Sequence, residues 1–444
     1  MFAGNARKLM VAGVVVLAVG QGWAQSAAPV AKAADTVVMA SPEAVGFDGK
    51  RLGNLHAVMQ ATVDAHTLAG GITVVARHGK VVDYQTYGYR DAEAKVAMTK
   101  DTIFRVYSMS KPITGVGMMI LYEQGKWLPT DPIAKYLPEF AGVMVYAGTN
   151  ADGTVKLEAP EHAPTIGELM THTAGLTYGL FGATPVDKMY RDAAPLQAKS
   201  CDEFVGKLAK LPLLYQPGKQ WVYSVSMDVE GCLIERISGE WFGEFLRKNL
   251  FEPLGMKDTG FVVPAEKIAR LTQAYDSDAS GQMQVVKNAV AAREAAMKDP
   301  GFESGGGGLF STAEDYLKFA EMLSHGGAFG GKRILSPATV KLMTTNHLRD
   351  ELMTGQWSIG AMRMRPGFGY GYNGAVVTEP GMAQLPEGKG TYLWDGAAGT
   401  WFWVDPTNDV VVVGMIQRRL DAYCPPVEWE SRAAVYGALV DPAK

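Results

Sequence analysis

Apolar residues recur at three- and four-residue intervals through Leu52, Leu55, Val58, Met59, Thr62, Val63 and His66, which predicts an amphipathic helix over about 48–66. His56 and His66 lie on or beside that stripe and read as packing residues. The pattern then changes period. Apolar runs at 72–76 and 81–87 flank Arg77-His-Gly-Lys80 and predict a β-hairpin. The unbroken apolar run from Ile113 to Tyr122, ended by Gly125, predicts a buried helix. Runs at 143–146 and 154–157 around Asn150-Ala-Asp-Gly153 suggest a second, smaller hairpin. Thr165 to Leu176 reads as a helix followed by a turn at Gly175, with His172 shaping the turn. Residues 176–200 show no clean periodicity and read as a surface insertion, a candidate lid over a site. A helix is predicted at about 226–238, and Ser311-Thr-Ala-Glu314 has the pattern of a capping box for another. Residues 390–405 and 410–417, joined by Pro406-Thr-Asn-Asp409, predict a meander of buried strands, and a helix from Val427 to Val440 follows. Strands at both ends with helices between them give an α+β layout. Its antiparallel sheet is built from both chain ends (about 41–110 and 300–444), with a mainly helical insertion at about 111–299.

Composition narrows the class. Of 444 residues, 47% are hydrophobic and 20% charged, as in a globular protein with a large core. A net charge of −4 and the lack of any basic run argue against nucleic acid or an anionic membrane surface as partners. Arg7 and Lys8 precede an apolar stretch, Leu9 to Val19, that is shorter than the about 20 residues a membrane span takes. Gly22-Trp-Ala24 then offers small residues to a signal peptidase. Residues 1–24 therefore read as a cleavable signal peptide and 25–40 as a disordered lead-in. The expectation is a periplasmic or secreted protein with no stable membrane insertion after cleavage. Three cysteines, Cys201, Cys232 and Cys424, leave at least one thiol free and allow one disulfide, whose pairing stays open. The cysteines and histidines are scattered, and no His-Glu-x-x-His occurs, so neither a metal site nor a cofactor is expected.

Candidate chemistry begins at Ser108-Met-Ser-Lys111, directly before Pro112. Proline is tolerated in the first turn of a helix, so Ser108 belongs at or just before a helix N-terminus. Residues three apart share a helical face, which points Ser108 and Lys111 at one spot. A serine hydroxyl is a poor nucleophile until a neighbour takes its proton. Burial and the positive end of a helix both lower a lysine's pKa toward that task, and the N–H groups at that end can stabilise an oxyanion. The spacing alone arises readily by chance; its weight comes from its place and its downstream partners. These are Tyr223, on the loop after Pro217-Gly218, and Trp394-Asp-Gly396, on a late strand. The glycine-rich run from Ser304 to Ser311 lacks the lysine of a phosphate-binding loop and the spacing of a dinucleotide site. No Gly-x-Ser-x-Gly occurs, which removes the α/β-hydrolase elbow.

Ser108-x-x-Lys111, Tyr223-Ser-Val225 and Trp394-Asp-Gly396, in that order, resemble the serine β-lactamase and penicillin-binding-protein superfamily, marked by Ser-x-x-Lys, Ser/Tyr-x-Asn and Lys-Thr-Gly. Within it the chain looks most like the class C-like branch and the family VIII carboxylesterases. Leu169-Met-Thr-His-Thr-Ala-Gly-Leu176, Glu252-Pro-Leu-Gly-Met256 and Gly305 to Thr312 fit that branch too, so the likeness covers about 41–440. The resemblance implies a β-lactamase/transpeptidase-like fold with Ser108 as the acylated nucleophile. Lys111 and Tyr223 would share its proton, and the backbone N–H groups of Ser108 and Ala397 would form the oxyanion hole. Trp394, Asp395, Gly396 and Val225 would face the substrate. Trp394 stands where lactamases and D-Ala-D-Ala peptidases carry the lysine that holds a substrate carboxylate, and Asp395 beside it would repel one. Val225 replaces an asparagine that would meet an amide side chain. Both departures weaken the β-lactamase and carboxypeptidase readings. Trp394 at the head of the third motif resembles the family VIII esterases, and that resemblance implies an esterase acting on short to medium acyl esters, small-molecule or glycan-linked, which the N-terminal segment makes an exported one. The alternatives are an acyltransferase, a β-lactamase or amidase on the same fold, and a non-catalytic envelope binding module.

Overall fold

Two hydrophobic runs more than three hundred residues apart pair at the centre of the molecule. In a computed structural model that describes residues 37–353 and 366–443, Gly70–Arg77 lies antiparallel to Val410–Ile416, in register from Val410 opposite Arg77 to Ile416 opposite Gly71. The expected signal peptide and most of the lead-in fall outside the described residues. Nine strands make the main sheet: β1 (Val38–Met39), β2 (Gly70–Arg77), β3 (Lys80–Asp91), β4 (Val96–Ala97), β5 (Phe368–Tyr370), β6 (Ala375–Val377), β7 (Tyr392–Asp395), β8 (Trp401–Asp405) and β9 (Val410–Ile416). Their order is β1-β3-β2-β9-β8-β7-β6-β5, with β4 added on β3. Strands β2 and β9 are buried along their whole length, which is why both read as continuous apolar runs and not as an alternation. The predicted α+β layout with strands from both chain ends is what forms. One edge departs from it. Val38–Met39, assigned to the disordered lead-in, pairs with Lys80–Val81, and pairs in parallel.

Five helices matter for the site and its support: α1 (Gly49–Asp64), α2 (Ser110–Glu123), α3 (Ser226–Ser238), α4 (Ala313–Ser324) and α5 (Val427–Ala438). Helix α1 starts where Asp48 accepts hydrogen bonds from the N–H groups of Lys50 and Arg51. It ends short of His66, which takes a left-handed φ of 56° and so lies beyond the helix. Helices α1 and α5 pack together, and α4 lies on β2, β8 and β9. Helix α4 is capped by Thr312, whose hydroxyl accepts from the Asp315 N–H. The expected capping box at Ser311 and Glu314 is therefore one residue out of phase.

The inserted middle is built on α2, buried from Ser110 through Leu121 and packed on α3. A disulfide between Cys201 and Cys232 ties α3 to the short helix Cys201–Leu208 and leaves Cys424 free. Closing a loop of 31 residues contributes roughly 3–4 kcal/mol in the chain-entropy account. The segment 176–200, expected to be irregular, contains the helix Pro185–Ala193. Only Val186 and Tyr190 form its buried apolar stripe, a single turn too short to register as a period. Its Asp187 caps the helix through Thr184 and also accepts from Thr177. The expected small hairpin forms from Val145–Thr149 and Val155–Glu158.

At the end of the central strand β2, Arg77 is buried and forms no ion pair among the described residues. Its guanidinium donates instead to four carbonyls, those of Val45, Asn408, Asp441 and Pro442. No helix among the described residues is long and apolar enough to cross a membrane.

Candidate active site

Ser108 sits on a single 3-10 turn, Tyr107–Met109, immediately ahead of α2. The turn is entered through Tyr107 at a left-handed φ of 45°, an uncommon conformation for a non-glycine residue. It is strapped down from the far part of the sequence. The Val106 N–H donates to the Leu309 carbonyl, the Leu309 N–H donates to Ser110 Oγ, and the Tyr316 hydroxyl donates to the Met109 carbonyl. Pro112 lies in the first turn of α2, as its sequence position requires.

Three groups from separate segments converge here. Lys111 Nζ lies 3.1 Å from Ser108 Oγ, and the Tyr223 hydroxyl lies 2.7 Å from the same oxygen. Lys111 Nζ also donates to the Gly306 carbonyl at 2.6 Å. Glycine at 306 is what lets that backbone come so close, since a Cβ there would stand 2.5 Å from Asp228 Oδ2 and 2.7 Å from the Tyr178 hydroxyl. Asp228 in turn fixes the glycine run by accepting from Ser304 Oγ and the Gly306 N–H. The Lys111 ammonium is pulled down to about 7 by burial, against the nearby carboxylates of Asp228, Asp395 and Glu230. Burial pushes the Tyr223 phenol far above its ordinary value, outweighing its hydrogen bond to Ser108. Near neutral pH the tyrosine is therefore a donor, and a large share of the lysine is free amine.

Tyr223 stands in an aromatic surround. Its ring centroid lies 4.9 Å from His172, 5.2 Å from Tyr178, 5.9 Å from Phe181 and 5.8 Å from Trp394. His172 is held neutral by burial and then by the charge of Lys111. At φ 57° its carbonyl accepts from the Val222 N–H, and its Nδ1 lies 3.0 Å from Ser224 Oγ. It thus shapes the predicted turn and also floors the tyrosine. Tyr178 and Phe181 come from the 176–200 segment, which lies beside the site.

The third motif reaches the serine through a close backbone approach. A Cβ at Gly396 would stand 2.4 Å from both the Val106 carbonyl oxygen and Thr400 Oγ1. Glycine there lets the end of β7 lie against the residues just ahead of Ser108. Ala397 follows in an exposed turn. Asp395 is half-buried, and burial raises its carboxyl to about 6 while Lys111 opposes the rise. Trp394 is buried. Val225 is buried at the start of α3 and is not among the residues that line the cavity beside Trp394.

Several residues of this centre carry no local signal in the sequence. Gly306 and Ser304 lie in a glycine-rich run whose only legible property is close approach. Asp228 looks like any acid near a helix start. Asn373, at φ 63°, donates to the Lys111 carbonyl and to Glu230, whose carboxyl burial raises to about 8. That network fixes the first turn of α2 from below.

A serine, a lysine and a tyrosine meeting at the seam between a two-ended sheet and a helical insertion define a serine hydrolase. Residues 55–435 match the Beta-lactamase family model. An uncharacterised protein of Mycobacterium tuberculosis is 36% identical over 385 residues, 86% of this chain and 92% of that protein. Esterase EstB of Burkholderia gladioli is 31% identical over 420 residues, 90% of this chain and 99% of EstB. Among solved structures, EstCE1, described as a hydrolase with promiscuous acyltransferase activity, has a TM-score of 0.73 at 28% identity, covering 87% of this chain and 99% of its own. The chain belongs to the Beta-lactamase family.

Proposed function

We propose that this protein is an exported serine carboxylesterase that cleaves short to medium acyl esters through a Ser108 acyl-enzyme. The observation that carries the reading is the meeting of Lys111 Nζ and the Tyr223 hydroxyl on one serine oxygen, at 3.1 and 2.7 Å. Lys111, as free amine, takes the Ser108 proton while Oγ attacks the ester carbonyl. Tyr223 stays protonated and relays a proton toward the departing alcohol, accepting one from Lys111 as it gives its own. The N–H groups of Ser108 and Ala397 receive the developing oxyanion; among the described residues neither makes a backbone hydrogen bond. Water, deprotonated by the same lysine, then releases the acid.

Trp394 in the third motif, in place of a lysine, leaves no cation there to hold a substrate carboxylate, and this argues against β-lactams and D-Ala-D-Ala peptides. The name of EstB supports ester hydrolysis, and the description of EstCE1 supports a second outcome, capture of the acyl group by an added alcohol. Export is supported by the N-terminal segment of the sequence and by the Cys201–Cys232 disulfide, a bond that persists in oxidising compartments.

The test is turnover of p-nitrophenyl acetate and butyrate, and of a chromogenic cephalosporin, by wild type and Ser108→Ala. Ester turnover lost in Ser108→Ala, with little cephalosporin cleavage, is the expected result. Rapid cephalosporin cleavage would replace the esterase with a lactamase. Equal inertness of both proteins on every substrate would leave a binding module.

A further inference from the structure

A cavity of about 290 Å³ opens beside the third motif, sharing Trp394 and Asp395 with the catalytic cluster. Its volume is near the lower bound of about 300 Å³ for small-molecule sites. It runs from β7 to the start of α5. Four of its wall residues are tryptophans: Trp221, Trp394, Trp401 and Trp429. Its polar walls are mostly carboxylates, from Asp395, Asp421 and Glu428, and no lysine or arginine lines it among the described residues. Glu428 is compensated by an ion pair with Arg432 at 2.7 Å. Asp421 lies in the field of the buried Arg418, which helps hold its carboxyl below its ordinary value. Asp395 forms no ion pair among the described residues and is left as the carboxylate of this aromatic cavity without a cation beside it on the cavity side.

That combination selects a ligand class. A carboxylate-bearing substituent would meet like charge. A neutral alkyl group would fill the space but leave Asp395 unanswered. A compact cation has an electrostatic partner in Asp395 and tryptophan rings in the surrounding wall, and tryptophan is the strongest aromatic partner for a cation. We propose that this cavity receives a cationic substituent of the substrate, a quaternary or protonated amine carried on one limb of the scissile ester. This rests on the esterase reading and names its substrate class. Asp395 then serves twice: it faces Lys111 on the catalytic side and the cation on the other. The inference also accounts for an aspartate after Trp394, where a neutral small residue would serve ester hydrolysis as well.

The experiment compares butyrylcholine with 3,3-dimethylbutyl butyrate, the isostere in which carbon replaces the charged nitrogen. Wild type is expected to favour the choline ester by about tenfold in kcat/KM, and Asp395→Asn to reduce that ratio severalfold. A ratio of one or below in wild type overturns the proposal, while turnover of p-nitrophenyl butyrate in the same preparation leaves the esterase reading standing. A second measurement does not depend on turnover. Tetramethylammonium titrated into Ser108→Ala by calorimetry should bind, and more weakly once Trp429→Ala is added. No heat of binding at millimolar concentration overturns the proposal whatever the esterase assays give.

Discussion

Lys111 and Arg432 are both fully buried cations, and the protein treats them in opposite ways. Arg432 pairs with the buried Glu387 and with Glu428, and its guanidinium lies 4.6 Å from the Trp403 ring and 5.1 Å from the Trp429 ring. Lys111 is given a serine, a glycine carbonyl and the face of Tyr223 at 4.5 Å, and among the described residues no carboxylate within ion-pair distance. A buried charge with matched partners keeps its proton and serves the structure. A buried amine whose acids are held at a distance loses its hold on the proton and becomes a base. The acids around Lys111 are not absent: Asp228 is occupied by Ser304 and Gly306, and Glu230 by Asn373. They are near enough to moderate the shift and too engaged to cancel it.

The largest expected difference between the two cations is in rate. Lys111→Met should lower kcat/KM for p-nitrophenyl butyrate by about 10²–10⁴ and leave the urea midpoint unchanged or raised, since a buried amine is exchanged for an apolar chain of similar length. A variant of near-normal activity would show that Lys111 is only packing. The converse change is Glu387→Ala, which leaves Arg432 buried without its inner partner. It should cost about 3–5 kcal/mol of stability in urea unfolding, with the specific activity of the folded fraction unchanged.

A subtler separation lies in pH. In the proposed mechanism Lys111 works only as free amine, and burial lowers its pKa to about 7. So kcat/KM should fall as pH drops through that value and level off above it. Arg432, tied into its ion pairs away from the serine, contributes no such limb. Asp395 is one of the charges that raises the lysine's pKa, so Asp395→Asn should move the limb to lower pH. Rate profiles from pH 5.5 to 9 check both statements. A flat wild-type profile, or a limb that moves upward in the variant, contradicts the assignment of the base.

The sequence made the chemistry legible where short-range rules apply. Pro112 located the helix start, the three-residue spacing put Ser108 beside Lys111, and the order of three motifs brought in Tyr223 and Trp394. The helical start of α1 at Asp48 and both hairpins were readable for the same reason. What escaped is set by contacts without a local pattern. Asp228, Ser304 and Gly306 are brought together only when α3 packs against the glycine run. The pairing of Cys201 with Cys232 depends on how the helix at 201–208 docks on α3. The 176–200 segment hid its helix because one buried turn gives no period, and the aromatic residues it lends to the site, Tyr178 and Phe181, sit outside that helix.

The carbonyls that satisfy Arg77 have a consequence for the order in which this enzyme comes into being. Arg77 depends on Asn408, Asp441 and Pro442, and β2 depends on β9 for its neighbour. A ribosome adding about 5–20 residues per second needs about 15–60 s to travel from the codon for Ser108 to that for Val410. Throughout that interval β2 lacks the neighbour that covers its inner edge, and Arg77 lacks three of the four carbonyls that satisfy it.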